Sequence, residues 1–401
     1  MVILTLLVLT SLTFSSDSKL ESALSRAEGN RSELEQALQQ LEGDELEGLV
    51  YLIQNMPTGD LKRLSADFLT EHVSFAYRAW SEAPWSSATP QRLFLENVLP
   101  YASINERRDA WFRDFYERFK PLVAEAKTPS EAAAILNQQV FPLVQVIYST
   151  KRPKADQSPY ESMDAGMASC TGLSVLLIDA CRSVGVPARF VGVPSWADDS
   201  GNHSWVEIWD DGWRFTGAAE PTGDELDRAW FTGRAAKARA DSEKYGIFAV
   251  SFTKTPQRFP MVWQPDADEV YAVNVTERYT TSRDVVPEGS ARVHFRVLTM
   301  AQGELQRCAA MLRVTDARGD VLIDSTTKDE RFDANDHVGA VIPIGAELTV
   351  EVSYGETTVT EKVTVQSDDQ TVTIEVPTAL SRQVADQMKA ELWQAHLAKA
   401  R

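Results

Sequence analysis

The sequence predicts a multidomain α+β chain: a helical N-terminal region, a mixed α+β core, and a C-terminal antiparallel β-sandwich followed by a terminal helix. Three observations carry this reading. At 401 residues the chain is too long for one ordinary hydrophobic core. Its first third spaces apolar residues at helical intervals, whereas beyond Asp268 the pattern changes to short, alternating segments rich in Val and Thr. Between them, helical and strand-like segments alternate.

Residues 1–16 read as a secretory signal peptide. Val2 to Phe14 is uncharged and mostly apolar, too short to span a bilayer comfortably, and is followed by Ser15-Ser16-Asp17-Ser18. An uncleaved anchor is the alternative. The expected location is therefore outside the cytoplasm, periplasmic or extracellular, with no integral membrane span after cleavage.

Residues 17–143 form the helical region. Asp60 precedes Leu61, Leu64, Phe68, Leu69, Val73, Phe75 and Ala76, which predicts a helix with an acidic cap. A second helix is expected over 106–127, broken at Pro121. Thr128-Pro129-Ser130-Glu131 opens a third, with a capping residue, then Pro, then Glu. Trp80, Trp85 and Trp111 read as core or interface residues.

Residues 144–266 form the α+β core: a strand over 144–149, a buried helix over 170–184, and strands over 189–193, 204–209 and 213–216. Asp210-Asp211-Gly212 is a hairpin signal between the last two. Residues 267–378 supply the sandwich, with strands expected over 270–277, 291–298, 309–315, 321–325, 339–344, 347–353, 356–365 and 371–376. Residues 379–401 close the chain as an amphipathic helix.

Composition excludes several functions. A formal net charge of −18 argues against nucleic acid and against anionic lipid, both of which need a basic face. No CxxC, HExxH, calcium-loop or Gly-rich phosphate-loop pattern is present, so neither metal nor cofactor is expected. Three cysteines, Cys170, Cys181 and Cys308, are too few for a disulfide scaffold, and in an exported chain at least one stays free unless it pairs between chains.

The strongest chemical signal is Ala168-Ser169-Cys170-Thr171-Gly172 running into an apolar helix. A cysteine in the first helical turn faces unpaired backbone N–H groups, which favour a thiolate and can stabilise an oxyanion. A small buried cysteine is the plainer reading. Downstream, Asn202-His203-Ser204-Trp205 opens a strand with a histidine, one of five in the chain. The next strand leads into Gly217-Ala218-Ala219-Glu220-Pro221, whose carboxylate can reach back across the hairpin. Asp210 and Asp211 lie at the hairpin's far tip. Sequons occur at Asn30, Asn202 and Asn274, and a glycan on Asn202 would block His203.

Taken in order, the helix-opening Cys170, Gly-Val-Pro-Ala-Arg (185–189), His203-Ser204-Trp205 and Glu220-Pro221 resemble the transglutaminase-like superfamily over roughly residues 145–225. The resemblance implies a papain-like core in which Cys170 is the nucleophile, His203 the acid/base and an acidic residue the third member. The family's usual Asp-Pro is here Glu220-Pro221, about three residues further along. Gln157 is the candidate side-chain oxyanion donor, a solvated loop glutamine being the alternative. The implied activity is thiol-dependent acyl transfer on a protein or peptide, either hydrolysis or transfer to an amine. The competing reading is a non-catalytic binding or scaffold protein with a degenerate core and a ligand-binding sandwich.

Overall fold

The structure is a computed structural model describing residues 18–280, 286–301, 304–367 and 369–376. The expected signal peptide and C-terminal helix lie outside the described residues. Among the described residues no helix is long and apolar enough to cross a membrane.

The centre of the molecule is α1, Cys170–Ser183, every residue of which is buried. A helix covered on all sides must be packed by several elements at once. Helices Ala66–Glu82, Phe112–Phe119 and Pro129–Val144 lie against it on one side, and strands β1, Ala188–Val193, and β2, His203–Trp209, on the other. One hydrophobic cluster runs from Leu34, Leu52 and Val73 through Leu176 and Ile178 to Phe190 and Ile208. The N-terminal helices are thus part of the core's own packing.

Local signals place most of these elements where the sequence puts them. Thr128 caps Pro129–Val144, its Oγ1 accepting the Glu131 N–H at 3.1 Å. Pro121 ends Phe112–Phe119, and the chain tightens into a 3₁₀ turn over Lys120–Val123. Asp60 does something else. The helix expected after it begins at Ala66, capped by Ser65, while the Asp60 carboxylate is buried and accepts from Tyr101 Oη and Arg108 Nε, both at 2.9 Å. A tertiary ion pair has taken the acidic side chain that local reasoning assigned to a cap.

Among the described residues the core sheet has six antiparallel strands. β3, Trp213–Thr216, is one edge; β2 and β1 follow, then Phe248–Ser251, Tyr271–Asn274 and Gln257–Arg258. The strand expected over 270–277 at the start of the sandwich is therefore Tyr271–Asn274, within the core sheet. Asp211 and Gly212 at the β2–β3 turn both take positive φ, 50° and 144°.

Beyond Ser290, among the described residues, two four-stranded sheets face each other across an apolar layer that includes Phe295, Leu312, Val350 and Ile374. Strands alternate buried and exposed, as in Glu347–Tyr354. Two features go beyond the sequence pattern. Glu304–Arg307 forms a short extra strand, and Gln370–Val376 pairs parallel with Ser290–Ala301 inside an otherwise antiparallel sandwich.

Candidate functional site

Cys170 occupies the first position of α1, after Ser169 in the cap position. The Ser169 hydroxyl does not cap the helix; it donates to the Ala155 carbonyl at 3.1 Å. The first-turn amides of α1 consequently lack a side-chain acceptor from Ser169. His203 starts β2, opposite Val193 of β1. It is 1% exposed and packed among aromatic rings, with Trp230 and Phe231 centroids 4.9 and 4.8 Å away.

β2 is held in register by Glu207, which is fully buried. Its carboxylate binds Arg189 of β1 at 2.6 Å, Arg278 at 2.5 Å and the Tyr279 hydroxyl at 2.7 Å. The Arg189 guanidinium also stacks 3.6 Å above the Trp213 ring. Arg189 and Glu207 therefore brace the strand pair that presents His203.

Glu220 reaches the imidazole by way of a turn. After β3 the chain folds back between Gly217 and Glu220, with the Glu220 N–H donating to the Gly217 carbonyl at 3.2 Å and Ala219 at φ 61°. Asn137 pins this turn from the neighbouring helix. Its amide donates to the Gly217 carbonyl at 2.8 Å and accepts from the Ala219 N–H at 2.9 Å. The turn takes up the additional residues between β3 and Glu220. A Cβ on Gly217 would fall 2.1 Å from Glu220 Oε2, so the carboxylate occupies the space that a side chain would take. Glu220 Oε2 lies 4.0 Å from His203 Nε2 and accepts from Trp230 Nε1 at 2.8 Å.

A second carboxylate arrives from the sandwich. Asp333, 4% exposed, places Oδ2 3.4 Å from His203 Nδ1. Cys170 Sγ, a ring nitrogen of His203 and an Asp333 oxygen all lie within 4.8 Å of one another. The loop over 327–337 that carries Asp333 is tightly held. Arg307 donates to the carbonyls of Phe332 and Asp333 at 2.6 and 2.8 Å, Lys328 pairs with Asp336, and the Ala334 N–H donates to Tyr148 Oη at 3.2 Å.

The two carboxylates are driven apart by their surroundings. Burial alone would raise Asp333, but the adjacent imidazole, joined by the Asn335 N–H and Arg307, holds this carboxyl below the usual range. Burial opposes charge on His203 too, yet the Asp333 carboxylate, with Cys170 adding to it, raises the ring well above its ordinary range. Glu220 is pushed up to about 8, chiefly by burial, with Asp336 and Asp333 adding to the effect.

Gln157 is not brought to the cleft as a donor. It is buried, and its amide group donates to the Met167 carbonyl at 3.0 Å and the Glu161 carbonyl at 3.3 Å. Both interactions fix the loop before α1. Asp210 and Asp211 stay at the hairpin tip, Asp210 accepting from the Ser130 N–H at 3.3 Å. A cavity of about 360 Å³ opens beside the site, lined by Cys170, Thr171, Asn202, Trp263 and Asp333.

Sequence reasoning missed Asp333 and Asn137. The Asn137 interaction is a long-range contact with no local signature. For Asp333 the only signal was the charged stretch Lys328-Asp329-Glu330-Arg331-Phe332-Asp333, which interrupts the strand alternation without saying where it docks.

Residues 117–217 match the transglutaminase-like superfamily. Residues 267–377 match the periplasmic copper-binding protein CueP family. No curated protein matches the chain. Among solved structures, a candidate cysteine protease from Cytophaga hutchinsonii aligns at 14% identity and a TM-score of 0.24, over 27% of this chain and 38% of its own. The chain thus carries a transglutaminase-like segment containing Cys170 and His203 and running to the residue at which the Glu220 turn begins.

Proposed function

We propose that this chain, transglutaminase-like over residues 117–217, is a thiol-dependent acyl-transfer enzyme acting on an amide or ester carbonyl of a protein or peptide outside the cytoplasm. The single observation that carries the reading is the buried imidazole of His203 beside a thiol at a helix start, with a carboxylate facing each ring nitrogen. The match of residues 267–377 to a periplasmic family supports the location.

In this reading the thiol proton of Cys170 already resides on His203, and the thiolate sulfur beside the imidazolium attacks the carbonyl carbon. The tetrahedral oxyanion is met by backbone N–H groups of the first turn of α1. His203 returns the proton to the leaving amine as the C–N bond breaks, leaving an acyl thioester. Water, activated by the same imidazole, then releases the carboxylic acid. An amine in place of water would give transamidation; water is the default acceptor in an open cleft of this kind. Glu220, at Nε2, orients the ring, and Nδ1 serves the thiol. Asp333 shares that second side, so the described state is a resting one, in which Asp333 is the anion nearest the imidazolium.

Hydrolysis of a panel of peptide amides and activated esters tests the proposal. Cys170→Ala and His203→Ala should each lower kcat/KM by about 10³-fold or more with the circular dichroism spectrum intact. Retained activity in Cys170→Ala would remove the thiol from the mechanism.

A further inference from the structure

We propose that Cys170, His203 and Asp333 form a binding site for a divalent zinc-type ion, assembled only when the sandwich is docked on the core. The three donors come from three separate places in the chain, the start of α1, the start of β2 and the 327–337 loop, and all three are buried. Neighbouring donors around a tetrahedral zinc ion, with bonds of about 2.0 to 2.3 Å, stand roughly 3.3 to 3.6 Å apart. His203 Nδ1 and Asp333 Oδ2 are separated by 3.4 Å. That approach is not aligned as a hydrogen bond, and among the described residues neither of the two buried ring nitrogens has a well-aligned hydrogen-bond partner. Cys170 Sγ lies within 4.8 Å of the other two donors, so a side-chain shift on the order of 1 Å closes the set.

Charge and donor type select the ion. A thiolate and a carboxylate neutralise a divalent cation, so the ion and its three ligands together carry no net charge. Mixed sulfur, nitrogen and oxygen ligands do not suit Mg²⁺ or Ca²⁺, and the carboxylate disfavours Cu⁺; Zn²⁺ and its spectroscopic substitute Co²⁺ fit. Three protein ligands leave a fourth position, and the adjacent cavity of about 360 Å³ admits water to it. An ion held there occupies the sulfur and the imidazole together and ties the sandwich loop to the core. Its consequence, a reversible block on turnover, rests on the acyl-transfer reading; the binding site itself does not.

The test titrates metal-free, full-length protein with Co²⁺ and reads absorbance. Binding should produce a thiolate-to-cobalt charge-transfer band, abolished by stoichiometric Zn²⁺. Cys170→Ala should remove the band, and Asp333→Ala should weaken Co²⁺ binding at least tenfold. A missing band in the wild type, a band that persists in Cys170→Ala, or an affinity unmoved by Asp333→Ala would each overturn the site. Protein that binds Co²⁺ through Cys170 but hydrolyses nothing keeps the site and loses the enzyme. Protein that turns over but shows no band does the reverse.

Discussion

At the residue scale, the surroundings of His203 set opposite protonation states on the two carboxylates that face it. Asp333 is held low and Glu220 is pushed up to about 8, so the charge opposite the ring belongs to the residue from the sandwich. The sign of the linkage follows. Because His203 is raised in the folded state, its contribution to stability is complete below the ordinary imidazole range and is lost as pH rises through the folded value. Asp333, held low, contributes in the opposite window: its share is present above the ordinary carboxyl range and is lost as pH falls through the folded value. Asp333→Asn removes the anion, so His203 should titrate at lower pH than in the wild type. Proton–carbon spectra of labelled, metal-free protein follow this directly, and an unchanged His203 titration would contradict the assignment. His203 was legible in the sequence because its strand start and helix-opening cysteine recur as an ordered set. Asp333 was not, since its proximity is created by docking between distant segments.

At the element scale, the turn after β3 shows how a local irregularity serves the site. Gly217 has no side chain, the Glu220 carboxylate fills the vacated space, and Asn137 fixes the backbone between them. Gly217→Ala should therefore displace the carboxylate from His203 and lower turnover in the direction of Glu220→Gln, for which a loss of roughly 10²-fold is expected once the pH exceeds about 8 and the Glu220 carboxyl is ionised. Asp210→Asn and Asp211→Asn should leave turnover near the wild-type value. If either of those abolishes activity while Glu220→Gln retains it, a different group orients the ring. The C-terminal end of α1 makes a separate prediction about stability. Buried Arg182 donates to the carbonyls of Asn97, Pro100, Ala102 and Ala188 at 3.0 to 3.2 Å, tying the helix to the segment before Phe112–Phe119 and to β1. Arg182→Met would strand these carbonyls and should cost about 3 kcal/mol or more. A urea midpoint within a few tenths molar of the wild type, at unchanged slope, would contradict that role. Such contacts explain why caps, breaks and hairpins were readable while the Asp60 cap was not. Thr128, Pro121 and Asp211-Gly212 act within a few residues of themselves, whereas Asp60 answers to Tyr101 and Arg108.

At the scale of the whole molecule, the helical region, core and sandwich converge on one cleft. The helices surround α1, the sheet presents His203, and the sandwich reaches across with the 327–337 loop. The alternating pattern disclosed the sandwich strands, including Glu347–Tyr354, because one face of each is buried. It could not disclose the parallel pairing of Gln370–Val376 or the strand 271–274 joining the core sheet, since pairing partners leave no mark on the period. In the proposed reaction Cys170 forms the covalent bond. The most direct measurement is intact-mass analysis of acid-quenched protein during turnover of an activated ester, followed by peptide mapping. A single acyl adduct on Cys170, cleaved by hydroxylamine and absent in His203→Ala, is the predicted result. Cys181, whose thiol burial pushes far up, and Cys308, pushed up to about 12 mainly by burial, should stay unmodified. No adduct under conditions of measurable hydrolysis, or an adduct on any residue other than Cys170, would contradict the account.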